Sequence, residues 1–133
     1  IAIKKIENDK FVKQQCCTDL GKDVRVYIIG NKVVAAVLRN SEKSFKSNYS
    51  LGGNVSLYDL NETERKYVDT ITQMLPMDFA AIDFIFNNGQ AAFNEIEDAA
   101  GARMLYSISD IDIVKMQVEY MMKELKKSCI AKN

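Results

Sequence analysis

The segment Phe79-Ala-Ala-Ile-Asp-Phe-Ile-Phe86 is a nearly continuous apolar strand interrupted by one carboxylate, Asp83. Asn87-Asn88-Gly89 turns the chain, and Gln90–Glu97 supplies the partner strand of a hairpin. Burying a lone carboxylate is costly unless a cation or hydrogen bonds compensate it. Whatever fold this chain adopts must therefore place such a partner against this strand.

The partner strand carries Glu95 and Glu97, which share a face because strand side chains repeat with period two. The turn decides whether Asp83 joins them. A two-residue Asn88-Gly89 loop pairs Phe84 with Phe93 and sets Asp83 on the face opposite Glu95. A three-residue Asn87-Asn88-Gly89 loop, with Gly89 left-handed in a bulge, pairs Asp83 with Phe93 and gathers Asp83, Glu95 and Glu97. Three clustered carboxylates repel one another unless a hard cation sits among them, and oxygen-only donors favour Mg²⁺ or Mn²⁺. The alternative is an Asp83 paired with Lys or Arg, with the glutamates in solvent.

The 133 residues carry 18 basic and 18 acidic side chains, so the net charge is zero and no basic footprint for nucleic acid exists. There is no His, which removes imidazole bases and His-dependent triads. Chemistry must run on carboxylates, Arg, Lys, backbone groups or Cys. Cys16, Cys17 and Cys129 have no metal-site spacing and read as reduced thiols of a cytoplasmic protein. No apolar run is long enough to span a membrane. The start, Ile1-Ala-Ile-Lys-Lys-Ile6, lacks an initiator Met and begins mid-pattern, so the chain reads as a single-domain fragment, residues 1–133.

Lys10–Cys17, Asp23–Gly30 and Lys32–Arg39 read as a three-stranded meander, with turns at Thr18-Asp19-Leu20-Gly21 and Gly30-Asn31. A long polar loop follows from Asn40 to Asn54. Asn61 begins a helix with Glu64 as capping-box partner; Val68, Ile71 and Leu75 recur at helical spacing and Pro76 ends it. A second helix is expected from Ser109, with Ile111, Val114, Val118, Met121 and Leu125 on one stripe and its Met residues filling the core. The order predicts an α+β fold with a largely antiparallel sheet and two main helices.

Cations and amides accompany the acids. Arg25 points away from the face of Val24 and Val26, and Arg39 ends a strand just before the polar loop that holds Lys43, Lys46 and Asn48. Gly52-Gly53 then allows backbone to approach a ligand closely. Each Arg alone is most simply a surface ion pair. Together around one loop they make a phosphate site competitive, because Mg²⁺ with Arg and amide donors equips phosphoryl transfer.

Four segments taken in order, Asp23-Val-Arg25 through Leu-Arg39, Ser47-Asn48 through Gly52-Gly53, Asp78 through Asp83, and Asn94-Glu95-Ile-Glu97, resemble the C-terminal part of an ATP-grasp ligase. The nearest branch is that of the RimK-like glutamate and amino-acid ligases, and the likeness runs from about residue 10 to 125. It implies an ATP-grasp C-terminal subdomain and an enzyme that phosphorylates a carboxylate and lets an amine attack the acyl phosphate. By the same resemblance Asp83, Glu95 and Glu97 hold Mg²⁺, and Gln14, Gln15, Cys16 and Cys17 form the hinge whose backbone meets the adenine of ATP. Arg25 binds substrate or phosphate, and Arg39 and Asn48 stabilise the transferring phosphate. The substrates implied are a small-molecule or peptide carboxylate and an amine, with a homo-oligomer allowed and neither nucleic acid nor membrane involved.

The sequence departs from the family at Glu97, where an Asn is usual, and in the hinge, where Gln-Gln-Cys-Cys replaces the common acidic or aromatic pattern. The family's first domain and its nucleotide-covering subdomain have no counterpart here, so the fragment alone is expected to be inactive. Two other readings remain: a non-catalytic nucleotide-binding or interaction module on the same fold, and an α+β interaction domain with a salt-bridged Asp83.

Overall fold

A computed structural model describes residues 15–41, 54–98 and 100–130. Among these residues five strands, Lys22–Ile29 (β1), Lys32–Asn40 (β2), Asn54–Leu57 (β3), Phe79–Asn87 (β4) and Gln90–Glu97 (β5), form one sheet in the order β3-β2-β1-β4-β5. Every neighbouring pair is antiparallel. Among the described residues three helices accompany it: Glu62–Met74 (α1), Arg103–Ile108 (α2) and Ile113–Ile130 (α3). The α+β class and antiparallel sheet are as the sequence predicts.

Alternation along β1 and β4 sends side chains to two faces, and both are covered. On one face Val24, Val26, Ile28, Ile82, Phe84 and Phe86 pack with Leu60, Met77 and Val68 of α1. On the other, Tyr27, Ile29, Val37 and Ala81 pack with Met104 and Leu105 of α2 and Ile113 of α3. That second cover reaches only part of the sheet. Beyond Tyr27 the same face turns polar, through Arg25 and Asp23 on β1, Arg39 on β2 and Asp83 on β4, all buried.

Local signals explain the elements. Gly30 and Asn31 both have positive φ (56° and 63°), as do Asn88 and Gly89 (51° and 73°), so each pair makes a tight two-residue turn. Asn61 caps α1: its side chain accepts from the Glu64 amide while the Glu64 carboxylate accepts from the Asn61 amide, both at 2.9 Å. The helix stops at Met74, before Pro76.

Several expectations require correction. β1 is paired along its length with β2 on one side and β4 on the other, which leaves no edge for a meander strand ending at Cys17. Gln15–Cys17 accordingly lie outside any strand, and residues 10–14 fall outside the described residues. The short strand β3 adjoins the polar loop; residues 42–53 of that loop are outside the described residues. Ser109 does not start a helix but follows α2, its hydroxyl donating to the Leu105 carbonyl at 2.9 Å. Asp112 caps α3 instead, accepting from the Lys115 amide at 3.0 Å. The apolar stripe of α3 is not core: Val114, Val118, Met121 and Leu125 are each about half exposed, because the helix docks on a different side through Ile113 and Tyr120.

Candidate functional site: a charged cluster on one sheet face

The β4–β5 hairpin reaches its register by a route the sequence reading did not contain. The loop is the two-residue one, with Asn87 opposite Gln90 and Phe84 opposite Phe93. A bulge then intervenes between Phe84 and Asp83, so that Asn94 is the extra residue and Asp83 faces Glu95. Ala81 faces Glu97. Cross-strand partners share a face, so Asp83, Glu95 and Glu97 lie on the same side of the sheet despite the short turn.

Asp83 is the centre of a bidentate network. Arg25, its cross-strand partner on β1, donates from Nε to Asp83 Oδ1 at 2.9 Å and from Nη2 to Oδ2 at 2.7 Å. Arg39 donates from Nη2 to Asp83 Oδ2 at 2.8 Å and from Nε to Asp23 Oδ1. Arg25 Nη2 also pairs with Glu97 Oε2. Among the described residues every buried side-chain N and O atom has a hydrogen-bond partner. Burial opposes the charge on Arg25, yet the hydrogen bonds and charge of Asp83, with Glu97 adding, raise its pKa above the ordinary guanidinium value. Arg39 is raised likewise: burial opposes its charge, and Asp23 and then Asp83 outweigh that effect.

The cluster is an ion-pair network as it stands: Asp83 pairs with arginine, as in the alternative, but Glu97 pairs with Arg25 rather than standing in solvent. Among the described residues no three acidic or thiol side chains form a ready metal cage. The donor set nevertheless suits a hard divalent cation: oxygen ligands only, on one face, with Glu95 exposed and Glu97 half-buried. Asp23, Asp83, Glu95 and Glu97 against Arg25 and Arg39 leave two negative charges among these six side chains, the amount one divalent ion neutralises.

Tyr27 closes the apolar end of the cluster. It is fully buried, and its hydroxyl donates to the Gly101 carbonyl at 2.9 Å. Burial pushes its phenol up to about 12, against the pull of Arg25 and Arg39. Because the folded-state value lies above the ordinary value of about 10, Tyr27 stabilises the fold fully below pH ~10. That contribution fades as pH rises towards 12. In an alkaline titration followed at 295 nm, Tyr27→Phe is expected to remove one tyrosine from the step near pH 12. An unchanged late step would show that Tyr27 ionises normally.

The remaining expected site residues divide. Gln15 and Cys16 are exposed and Cys17 is half-buried, in the segment that enters β1. That segment is moored to the β4–β5 turn: the Thr18 amide donates to Asn87 Oδ1 at 3.2 Å, and the Gly89 amide to Asp19 Oδ2 at 2.8 Å. Gln14, Lys43, Lys46, Asn48, Gly52 and Gly53 lie outside the described residues. Sequence reasoning missed Asp23. Its signal is present in hindsight: it stands two residues before Arg25, hence on the same strand face. No described helix is long and apolar enough to cross a membrane.

A family model described as the RimK-like ATP-grasp domain matches residues 2–121. A probable alpha-L-glutamate ligase of Haemophilus ducreyi is 30% identical over 103 residues, covering 77% of this chain and 34% of that protein. An uncharacterised protein of Mycoplasma genitalium is 34% identical over 108 residues, covering 79% of this chain and 38% of its own length. This chain thus spans little more than a third of the relatives it matches. Two solved structures share the fold. The ATP-grasp ligase PsnB, complexed with a phosphomimetic variant of its minimal precursor, Mg and ADP, aligns at a TM-score of 0.63 and 16% identity over 83% of this chain and 34% of that one. D-alanine–D-alanine ligase of Bacillus anthracis, complexed with ATP, aligns at 0.57 and 12% identity over 96% of this chain and 48% of that one.

Proposed function

The chain belongs to the RimK-like ATP-grasp family, and from that premise we propose that it is the nucleotide- and metal-binding part of an ATP-dependent carboxylate–amine ligase. The observation that carries the reading is the bulged register that sets Asp83 opposite Glu95, beside Glu97, Arg25 and Arg39. In the parent enzyme a carboxylate oxygen attacks the γ-phosphorus of ATP and ADP leaves. An amine then attacks the acyl carbon and phosphate leaves.

Asp83, Glu95 and Glu97 would hold Mg²⁺, or Mn²⁺ in its place, which supplies charge neutralisation on the phosphate oxygens. Arg39, held by Asp23 and Asp83, presents a pre-oriented guanidinium to the transferring group, so little reorganisation accompanies the reaction. Arg25 binds substrate or phosphate, and Asn48 contributes from the polar loop. The hinge Gln14–Cys17 presents backbone to adenine. The acyl donor is a small-molecule or peptide carboxylate, and the amine is the acyl acceptor. Cytoplasmic location and a homo-oligomer accompany the reading, as does inactivity of these 133 residues by themselves.

The engagement of Asp83 by two arginines favours a second reading, a non-catalytic module on the same fold. Calorimetric titration of the chain with Mg²⁺·ATP to millimolar concentration tests the site. The expected result is metal-dependent binding weakened about tenfold or more in Asp83→Asn, the loss typical of a charge-assisted contact. A flat titration, or an Asp83→Asn variant indistinguishable from wild type, rejects the site. Metal-dependent binding alone does not separate enzyme from module. Transfer of ¹⁸O from the carboxylate to phosphate by the full-length parent does.

A further inference from the structure

We propose that Arg25 is a built-in counter-ion that holds the place between Asp83 and Glu97 until a divalent cation and a nucleotide phosphate arrive together, so that the two bind with positive coupling. The inference rests on the site reading above. One nitrogen carries it: Arg25 Nη2 lies 2.7 Å from Asp83 Oδ2 and pairs at the same time with Glu97 Oε2. A cation, the guanidinium, therefore already bridges the two carboxylates.

A carboxylate offers about four lone-pair directions. On Asp83 three are taken, by Arg25 Nε, Arg25 Nη2 and Arg39 Nη2. A metal ion shared by Asp83 and Glu97 competes with Arg25 Nη2 and would stand beside a like charge. Arg39 has no such conflict, because Asp23 shares its guanidinium. Displacing Arg25 with no substitute partner leaves a charge stranded at a side chain only a tenth exposed. A phosphate supplies that partner, since a guanidinium binds phosphate oxygens in the same forked geometry it uses on Asp83. Metal alone is therefore penalised by Arg25, and metal with nucleotide is not. By linkage the nucleotide gains as much from the metal as the metal gains from the nucleotide.

The test measures Mn²⁺ binding to the whole chain by calorimetry, without ADP and at saturating ADP. Wild type is expected to bind Mn²⁺ about tenfold more tightly with ADP, an ordinary coupling strength. Arg25→Gln is expected to bind Mn²⁺ alone about tenfold more tightly than wild type and to lose the gain from ADP. An arginine that only supported the fold would leave Mn²⁺ affinity unchanged or lower in Arg25→Gln, and that result overturns the proposal. Asp83→Asn separates the two levels of inference. Mn²⁺ binding that is absent in wild type even at saturating ADP, or indifferent to Asp83→Asn, defeats the site reading and this proposal together. Binding that needs Asp83 but is no tighter in Arg25→Gln defeats the exchange alone. Should Arg25→Gln fail to fold, the Arg25 Nε–H resonance of wild type decides. It is expected to shift with Mg²⁺ and ADP together by more than the sum of their separate effects, and an additive response overturns the proposal.

Discussion

Asp83→Ala is expected to lower the unfolding free energy by about 3–5 kcal/mol, the usual consequence of removing one partner from a buried ion pair. For a chain of this size that corresponds to a fall in Tm of roughly 10–20 °C. The reason is what the alanine leaves behind. Arg25 and Arg39 are nine-tenths buried at their side chains and converge on the two Asp83 oxygens. Arg39 retains Asp23, but among the described residues Arg25 keeps as an ion-pair partner Glu97 alone, whose side chain is 41% exposed. The loss comes from stranded charge rather than from the intrinsic strength of the pair. Arg25→Met combined with Asp83→Leu should therefore recover much of it, because well-packed apolar residues commonly equal a buried pair in stability. Urea unfolding of the single and double variants checks both statements. A double variant as unstable as Asp83→Ala would locate the cost in lost packing or in the Arg39 contact.

Asp83 also marks how far the sequence could be read. A carboxylate inside Phe79–Phe86 demands a partner on elementary grounds, and Arg25 was the cation on the polar side of its own strand. Their meeting was not legible, because it depends on β1 pairing with β4 across 58 residues. Local pattern carries no information about which distant strand lies alongside. The capping box at Asn61 and Glu64 was legible for the opposite reason, since its two reciprocal hydrogen bonds join residues three apart; a turn at Asn87-Asn88-Gly89 was legible too, but not its two-residue length. The bulge at Asn94 sits between these cases: the turn alone would have put Asp83 and Glu95 on opposite faces, and one unpaired residue reversed that outcome. α3 shows a different limit. Its heptad-like stripe of Val114, Val118, Met121 and Leu125 is a sound helix signal, but periodicity locates an apolar face without saying what covers it. Here the described residues leave it open to solvent.

What does hold α3 is narrow enough for one substitution to release it. Gly30→Ala is expected to cost about 2–4 kcal/mol, the sum of a backbone penalty of about 1–2 kcal/mol for a left-handed residue and a steric penalty. Gly30 has φ +56°, and an added Cβ would lie 2.4 Å from Tyr120 Cε2 and 3.0 Å from Cδ2. The ring cannot simply swing away at no cost, because the Tyr120 hydroxyl donates to Asp78 Oδ1 at 2.6 Å. That hydrogen bond is the main reason its phenol is pushed up to about 12. Gly89→Ala serves as the control: Gly89 has φ +73° but open space where its Cβ would be, so only the backbone penalty of about 1–2 kcal/mol applies. Two readouts distinguish the steric part. In Gly30→Ala the Tyr120 phenol should titrate closer to its ordinary value of about 10, and amide exchange should rise through Ile113–Ile130 while α1 keeps its protection. Neither change is expected in Gly89→Ala. Equal losses in the two variants, with Tyr120 still titrating late in both, would mean that α3 is anchored elsewhere, and the contact of Tyr120 with the β1–β2 turn would carry no weight in docking the helix.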